Sequence, residues 1–297
     1  MPDLLTVTIS DKALFDFTKL DAIAKKGNSA FESFLNRTRN KPLSEGPGLR
    51  LIHQLSNIKD ETGRSLVNCV LLSTMDPQNA DRLFNSLTHY GLQIGSISFT
   101  SACPISQATA YGADLFLHHD EASVKNALTK GVPSAYLHGG SYSKREGCDK
   151  AHFILDGDCV LFSDESERAF TSCPINGLAN FFKYEAENND KIMEAGPMAG
   201  LLKKLNILRS ATPTPQIKLT LVTARTFPTH NRPLITLKHW GIKLDEYHFM
   251  AGRSKSEVIR NLKGDIFFDD QSKHCVSAAL HTPSGQVFNV TTTHAGT

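Results

Sequence analysis

Phe153-Ile154-Leu155-Asp156-Gly157-Asp158-Cys159-Val160-Leu161-Phe162-Ser163-Asp164-Glu165-Ser166-Glu167 is the stretch on which the reading of the chain turns. Three apolar residues run straight into Asp156-Gly157-Asp158. A short apolar run bounded by a turn signal reads as a buried strand, and the carboxyl end of this one opens onto two acidic groups. Such an end is where an open α/β sheet holds its ligands. With one glycine between them the two carboxylates can divide labour, Asp156 attacking or binding a metal while Asp158 moves protons. A lone Asp-x-Asp also occurs in many solvated turns, so its meaning depends on the rest of the chain.

Three downstream stretches supply matching parts. Residues 217–222 read as an apolar strand ending in Thr223-Ala224-Arg225, which puts a hydroxyl and backbone N–H groups at a second strand end. Lys255 opens the amphipathic segment 256–262, and a cation near a helix N-terminus suits an anion. Gly264-Asp265-Ile266-Phe267-Phe268-Asp269-Asp270 is a short hydrophobic strand ending in paired acids. Taken singly, Thr223 reads as a strand-end cap, Lys255 as a solvated residue and Asp269-Asp270 as a turn. Their order gives them joint meaning.

The order Asp-x-Asp, strand-Thr, Lys, strand-Asp-Asp resembles the four motifs of the haloacid dehalogenase superfamily of phosphohydrolases. More narrowly, residues 156–167 with Leu221-Val222-Thr223-Ala224-Arg225 and Phe267-Phe268-Asp269-Asp270-Gln271 are similar to the type I cytosolic 5'-nucleotidases. The likeness reaches upstream through Ala13-Leu14-Phe15, Gly46-Pro47-Gly48 and His89-Tyr90-Gly91-Leu92, and so covers nearly the whole chain. It implies a Mg²⁺-dependent hydrolysis of nucleoside 5'-monophosphates through an aspartyl-phosphate on Asp156. Asp158 would be acid and base, and Thr223 and Lys255 would hold the phosphoryl oxygens. Arg225 would bind substrate or brace the motif. The metal would take the carboxylates of Asp156 and Asp269 and the carbonyl of Asp158, with Asp270 acting through a water or by orienting Lys255. The relatives imply a homo-oligomer. Two alternatives stay open: a phosphatase for sugar phosphates or other small phosphomonoesters, and a non-catalytic nucleotide-binding protein.

With 297 residues, 40% hydrophobic and 21% charged, the composition is that of an ordinary globular protein. A net charge of +2 argues against a dedicated nucleic-acid binder, which would carry a basic surplus gathered on one face. The first residues lack the basic and apolar regions of a signal peptide, and no run approaches the roughly 20 apolar residues of a membrane span. Cys69, Cys103, Cys148, Cys159, Cys173 and Cys275 show no Cys-x-x-Cys spacing. The expectation is a cytoplasmic protein with reduced thiols and no zinc site, in which the sequons at Asn36 and Asn289 are chance.

A shift of 150 positions lays Gly46-Pro47 on Gly196-Pro197, Leu51 on Leu201, Leu71 on Leu221, Ser73 on Thr223, His89 on His239 and Gly91 on Gly241. A constant offset over about sixty residues marks an internal repeat. The fold expected is therefore α/β, with two Rossmann-like units from one duplication. Residues 1–140 would be a degenerate, catalytically silent unit and residues 151–297 a haloacid dehalogenase-like catalytic unit, joined by a polar linker at 139–150. Aligning Ala13-Leu14-Phe15 with Val160-Leu161-Phe162 sets Ile9 against Asp156, while the shift of 150 sets Ile105 against Lys255 and, with a one-residue slip, His119 against Asp269 or Asp270. Only Ser73 keeps a phosphate-binding hydroxyl, so the first unit is expected to be catalytically silent. It would wall the substrate pocket or serve as a packing partner.

Strands are expected near 5–9, 66–72, 96–99, 113–117 and 135–137, and helices near 29–36, 49–58, 79–90 and 122–128. Residues 163–195 leave room for a small helical cap, in which Phe181, Phe182 or Tyr184 would stack on a base or form the apolar face of a cap helix. In His118-His119-Asp120 the two rings are expected on opposite sides of a strand, which makes the cluster a chance one.

Overall fold

The computed structural model describes residues 5–100, 104–139, 150–172, 175–212 and 216–290. Its strands are β1 (Leu5–Ser10), β2 (Phe15–Asp16), β3 (Ser44–Glu45), β4 (Val67–Ser73), β5 (Ser96–Phe99), β6 (Leu115–His118), β7 (Ser134–His138), β8 (Ala151–Leu155), β9 (Ile217–Thr223), β10 (Glu246–Phe249), β11 (Ile266–Asp269) and β12 (Ser284–Gln286). All but the small β2–β3 ribbon join in one sheet of order β10-β9-β8-β11-β12-β7-β6-β1-β4-β5. Pairing is parallel throughout except between β12 and β7, where Ser284, Gly285 and Gln286 face His138, Leu137 and Tyr136 in antiparallel sense. Hence the two halves point opposite ways, and their carboxyl edges lie on opposite sides of the molecule. Each half runs its strands in the same order, β5-β4-β1-β6-β7 matching β10-β9-β8-β11-β12.

Alternation along the strands builds two faces. Leu5, Val7 and Ile9 of β1 and Ala151, Phe153 and Leu155 of β8 point into one core that continues across both halves. Leu51, Ile52 and Leu55 of the helix Leu49–Ser56, and Leu201, Leu202 and Leu205 of the helix Ala199–Ser210, complete that layer. Their i, i+1, i+4 spacing is the apolar stripe of a helix lying on a sheet. On the other face each half keeps its own cluster, around Phe116 with Ile105 and around Phe267 with Ile259. Each such buried side chain contributes about 1.5–3 kcal/mol over exposure.

Charge ties the halves reciprocally. Arg50 in the first half pairs with the buried Asp265 of the second, and Lys204 in the second reaches Asp114 of the first at 3.6 Å. Each of these aspartates also accepts a strand N–H, from His152 and from Thr6, at 2.8 Å in both cases.

The expected elements are present with shifted ends. The strand expected from 113 starts at Leu115: the Asp114 N–H donates to the Thr6 carbonyl at 2.8 Å, but the Thr6 N–H goes to the Asp114 carboxylate and not to a backbone carbonyl. The helices not foreseen include Thr18–Ala24 and Pro104–Ala110. The second buries only Ile105 and Ala108, too little for a visible stripe, although proline at the first helical position is its signal. The His118 and His119 rings do not diverge: they stack at 4.5 Å and 22°. The strand ends at His118, so the two-residue alternation does not reach His119. The proposed linker at 139–150 lies almost wholly outside the described residues. Among those described, no helix is long and apolar enough to cross a membrane, and Cys69, Cys159 and Cys275 are buried and unpaired. Cys103, Cys148 and Cys173 lie outside them.

Candidate active site

β8 lies between β9 and β11, and the chain leaves it in one direction to β9 and β10 before crossing back to β11. The cleft at the carboxyl ends of β8 and β11 is thus a topological switch point. Asp156 follows β8, and its N–H donates to the Phe268 carbonyl at 2.9 Å, which fixes it beside Asp269 at the end of β11. The turn after Asp156 is tight: the Gly157 carbonyl accepts from the N–H groups of Val160, Leu161 and Phe162 at 3.3, 2.9 and 3.0 Å. A Cβ on Gly157 would stand 3.2 Å from Thr223 Oγ1, so this glycine lets the turn lie against the end of β9.

Lys255 caps the helix Ser256–Leu262 and buries its ammonium between two carboxylates, 2.6 Å from Asp156 and 2.7 Å from Asp269. Asp269 is held further by the Gln271 N–H at 2.8 Å and by His274 Nδ1 at 3.1 Å. One oxygen from each of Asp156, Asp269 and Asp270 lies within 4.8 Å of the others. Asp270 makes no ion pair with Lys255, so the orienting of that lysine falls to Asp156 and Asp269 instead.

Electrostatics separate the three acids. Burial, reinforced by the charges of Asp269 and Asp270, raises Asp156 well above the usual carboxylate range against the pull of Lys255. Burial and then Asp269 push Asp270 up to about 7. Burial works in the same direction on Asp269, but the hydrogen bond from His274 and the charge of Lys255 outweigh it and hold Asp269 low. Burial alone would lower Lys255, yet its two partners keep it above its ordinary value. Three hard oxygen donors in mutual repulsion fit a small divalent cation such as Mg²⁺.

The Asp158 carboxylate turns away from this cluster and accepts from Arg225 at 2.7 and 2.8 Å. Arg225 is 3% exposed, and its remaining N–H groups go to Glu185, Ser166 and the Thr229 carbonyl. These contacts are those of a brace for Asp158. Thr223 is buried and accepts the Arg225 N–H at 3.3 Å, which leaves its hydroxyl proton for a ligand. Phe182 is half-buried on the helix Gly177–Glu187, edge-on to Phe181 at 5.7 Å, and the Phe181 ring lies 5.4 Å from the Arg225 guanidinium. Phe181 is thereby a packing residue, while Phe182 has no contact that assigns it a base. The insert forms two helices, Glu165–Thr171 and Gly177–Glu187.

Sheet pairing corrects the alignment of the halves. Ile9 pairs with Leu71 and Leu155 with Leu221, so Ile9 matches Leu155 and Ser10 stands where Asp156 does. Likewise His118 matches Asp269 and His119 matches Asp270, because Leu117 pairs with Ile9 and Phe268 with Leu155. The extra residue falls in the turn after β8, which has four residues between Leu155 and Val160 where the turn after β1 has three between Ile9 and Ala13. In that shorter turn Asp11 accepts from Ser73 Oγ at 2.6 Å. Sequence reasoning also missed Glu185 and His274. Glu185 follows Phe181 and Phe182 at spacings of four and three, an acid on an otherwise apolar stripe, and that was its signal.

Comparison with known proteins agrees with this geometry. A family model described as 5'-nucleotidase matches residues 1–294. The human protein named "Cytosolic 5'-nucleotidase 1B" is 32% identical over 291 residues, covering 92% of this chain and 47% of that protein. The chain thus spans about half the length of that relative. Likeness to solved structures is slight: a putative universal stress protein of Pseudomonas aeruginosa UCBPP-PA14 shares 13% identity at a TM-score of 0.34, over 96% of this chain and 93% of that one. A functionally unknown protein, PA1789, of Pseudomonas aeruginosa PAO1 shares 12% at 0.33, over 96% and 92%. The match along almost the entire sequence, together with carboxylates, lysine and threonine at adjoining strand ends, means that the chain belongs to the 5'-nucleotidase family.

Proposed function

We propose that the protein hydrolyses nucleoside 5'-monophosphates to nucleoside and inorganic phosphate. The observation that carries this reading is the meeting of Asp156, Lys255 and Asp269 at the switch point of a parallel sheet, within a chain of the 5'-nucleotidase family. Asp156 attacks phosphorus, and the bond from phosphorus to the ester 5'-oxygen breaks as an aspartyl-phosphate forms. Asp158 gives its proton to the departing oxygen, then takes one from the water that attacks the acyl phosphate, and phosphate leaves with Asp156 restored. Thr223 and Lys255 hold the phosphoryl oxygens, where stabilisation of developing charge has its largest effect. Mg²⁺ held by Asp156, Asp269, Asp270 and the Asp158 carbonyl would neutralise charge between an anionic nucleophile and an anionic phosphate. Arg225 acts on Asp158, and Phe182 is the cap residue offered to the base.

The same reading makes residues 151–297 the catalytic, haloacid dehalogenase-like unit with its cap at 163–195, and residues 1–140 a silent unit from an internal duplication. Support comes from the repeated strand order and from Gly46 and Gly196, 150 positions apart, which both take the N–H bond to the carbonyl of the leucine before a phenylalanine, Leu14 and Leu161. The likeness to the human protein named cytosolic supports a cytosolic location, and the homo-oligomer is proposed from the family resemblance alone.

Phosphate release from nucleoside monophosphates and sugar phosphates, with Mg²⁺ or EDTA, tests the function in wild type and Asp156→Asn. Metal-dependent release from the nucleotides, abolished by the substitution, is the expected result. Release from sugar phosphates alone keeps the chemistry and discards the substrate, and no metal-dependent release discards both.

A further inference from the structure

Behind Asp158 lies a chain of alternating buried charges. Arg225 grips both oxygens of Asp158, then donates to Glu185 at 2.6 and 3.3 Å, to Ser166 Oγ at 2.8 Å and to the Thr229 carbonyl at 3.1 Å. Glu185 also accepts from Arg232 at 2.8 Å and from the Ser166 hydroxyl at 2.7 Å. Arg232 continues to Glu165 at 3.1 Å, which accepts the Tyr184 hydroxyl at 2.9 Å. The side chains of Arg225, Glu185 and Arg232 are 1–2% exposed, whereas that of Asp158 is 22% exposed.

An apolar cluster of equal volume would hold the two insert helices against the sheet at least as well, since drawing ions out of water offsets most of their attraction. What a saturated ionic network adds is direction. Arginine is a long, flexible side chain, and its planar fork fixes a carboxylate only if the fork is itself immobilised. Glu185 supplies that immobilisation from the insert, helped by the Phe181 ring of the same helix. Asp158 uses two of its four lone-pair sites on the fork and keeps its exposed side for the cleft.

We propose that Glu185 is a positioning residue for phosphoryl transfer: it pins Arg225, and Arg225 aims the Asp158 carboxyl at the leaving oxygen. The inference rests on the nucleotidase reading of the site. The insert then shapes proton transfer as well as covering the substrate.

The step that Glu185 controls is protonation of the leaving group, and this gives a readout that general loosening does not move. A nucleoside 5'-phosphate is compared with its analogue carrying sulfur at the bridging 5' position, which leaves as a thiolate and needs no proton. In Glu185→Gln, kcat/KM for the oxygen ester falls about 10- to 100-fold while that for the sulfur ester changes little, so the sulfur-to-oxygen ratio rises by about that factor. Ser166→Ala, a milder cut at the same junction, raises the ratio in the same sense but less, and carries the test alone if Glu185→Gln does not fold. No rise in the ratio, whether both rates fall together or neither does, overturns the positioning role and leaves the nucleotidase reading intact. A folded wild type that releases no phosphate from any monophosphate overturns both.

Discussion

Removing the Lys255 ammonium exposes the repulsion that it now hides. In Lys255→Met a side chain of similar length replaces the cation between Asp156 and Asp269, leaving three acid oxygens within 4.8 Å of one another. At an effective dielectric constant of about 20, each charged pair at that separation repels by at least about 3.5 kcal/mol. Protonating one acid removes two of the three repulsions, so the net loss settles near the 3–5 kcal/mol typical of a broken buried pair. For a chain of this size that is a fall of about 6–10 °C in melting temperature. The sign with pH follows from the raised Asp156. A carboxyl whose folded pKa lies above its unfolded value binds its proton better when folded, so stability is present at low pH and lost as pH rises through the folded pKa. Asp270, pushed up to about 7, follows the same sign, so the deficit of the variant is greatest above pH 7 and shrinks as pH falls below it, and Mg²⁺ restores more stability to the variant than to wild type. Thermal melts across pH, with EDTA and with Mg²⁺, measure both. A deficit that is flat with pH and indifferent to Mg²⁺ would be a packing loss and would refute the electrostatic account.

Gly157→Ala forces a Cβ to 3.2 Å from Thr223 Oγ1, and the few tenths of an ångström by which the turn must yield should lower kcat about tenfold with a near-native melt. Initial rates check this, and an unchanged kcat would show that the turn has slack. His118, lowered to about 4 chiefly by burial, is neutral when folded and binds a proton more readily when unfolded. Its contribution is thus present above about pH 6.5 and drains away as pH falls towards 4, a loss of about 2 kcal/mol between pH 7 and pH 5. Urea unfolding of His118→Phe at the two pH values should show that slope flattened. Asp265→Ala strips partners from Arg50 and the His152 N–H and should lower stability by about 3 kcal/mol. Unfolding stays a single transition because the core crosses both halves, and two separated transitions would contradict that core.

The sequence carried the sheet and the reactive cluster because both are written in short-range terms. Phe153, Ile154 and Leu155 before Asp156, and Ile266 to Phe268 before Asp269, announce buried strands with acids at their ends. The relation between strands was less legible. The turn after β8 is one residue longer than the turn after β1, which displaced the match of Asp156 from Ser10 to Ile9, since pairing is fixed by the ladder and sequence spacing blurs at turns. The direction of Asp158 was invisible, because its partner Arg225 is 67 residues away and takes its own orientation from Glu185, 40 residues from it. Alternating patterns identify which face is buried; they do not say which of two buried charges will meet.

The antiparallel joint of β7 and β12 has a consequence for the history of the molecule. Two separate copies of a five-stranded unit meeting edge to edge about a twofold axis would form this same contact, and an isologous joint of that kind is the commonest way for like subunits to pair. The covalent link makes the partner permanent: dilution cannot part the halves, and the seam of three residue pairs need not be strong enough to assemble a dimer. The two strand-end clefts face away from each other, so neither needed the other for its chemistry. Under the proposed duplication, the unit carrying Ser10, His118 and His119 would be free to lose its acids while still closing the open edge of the other.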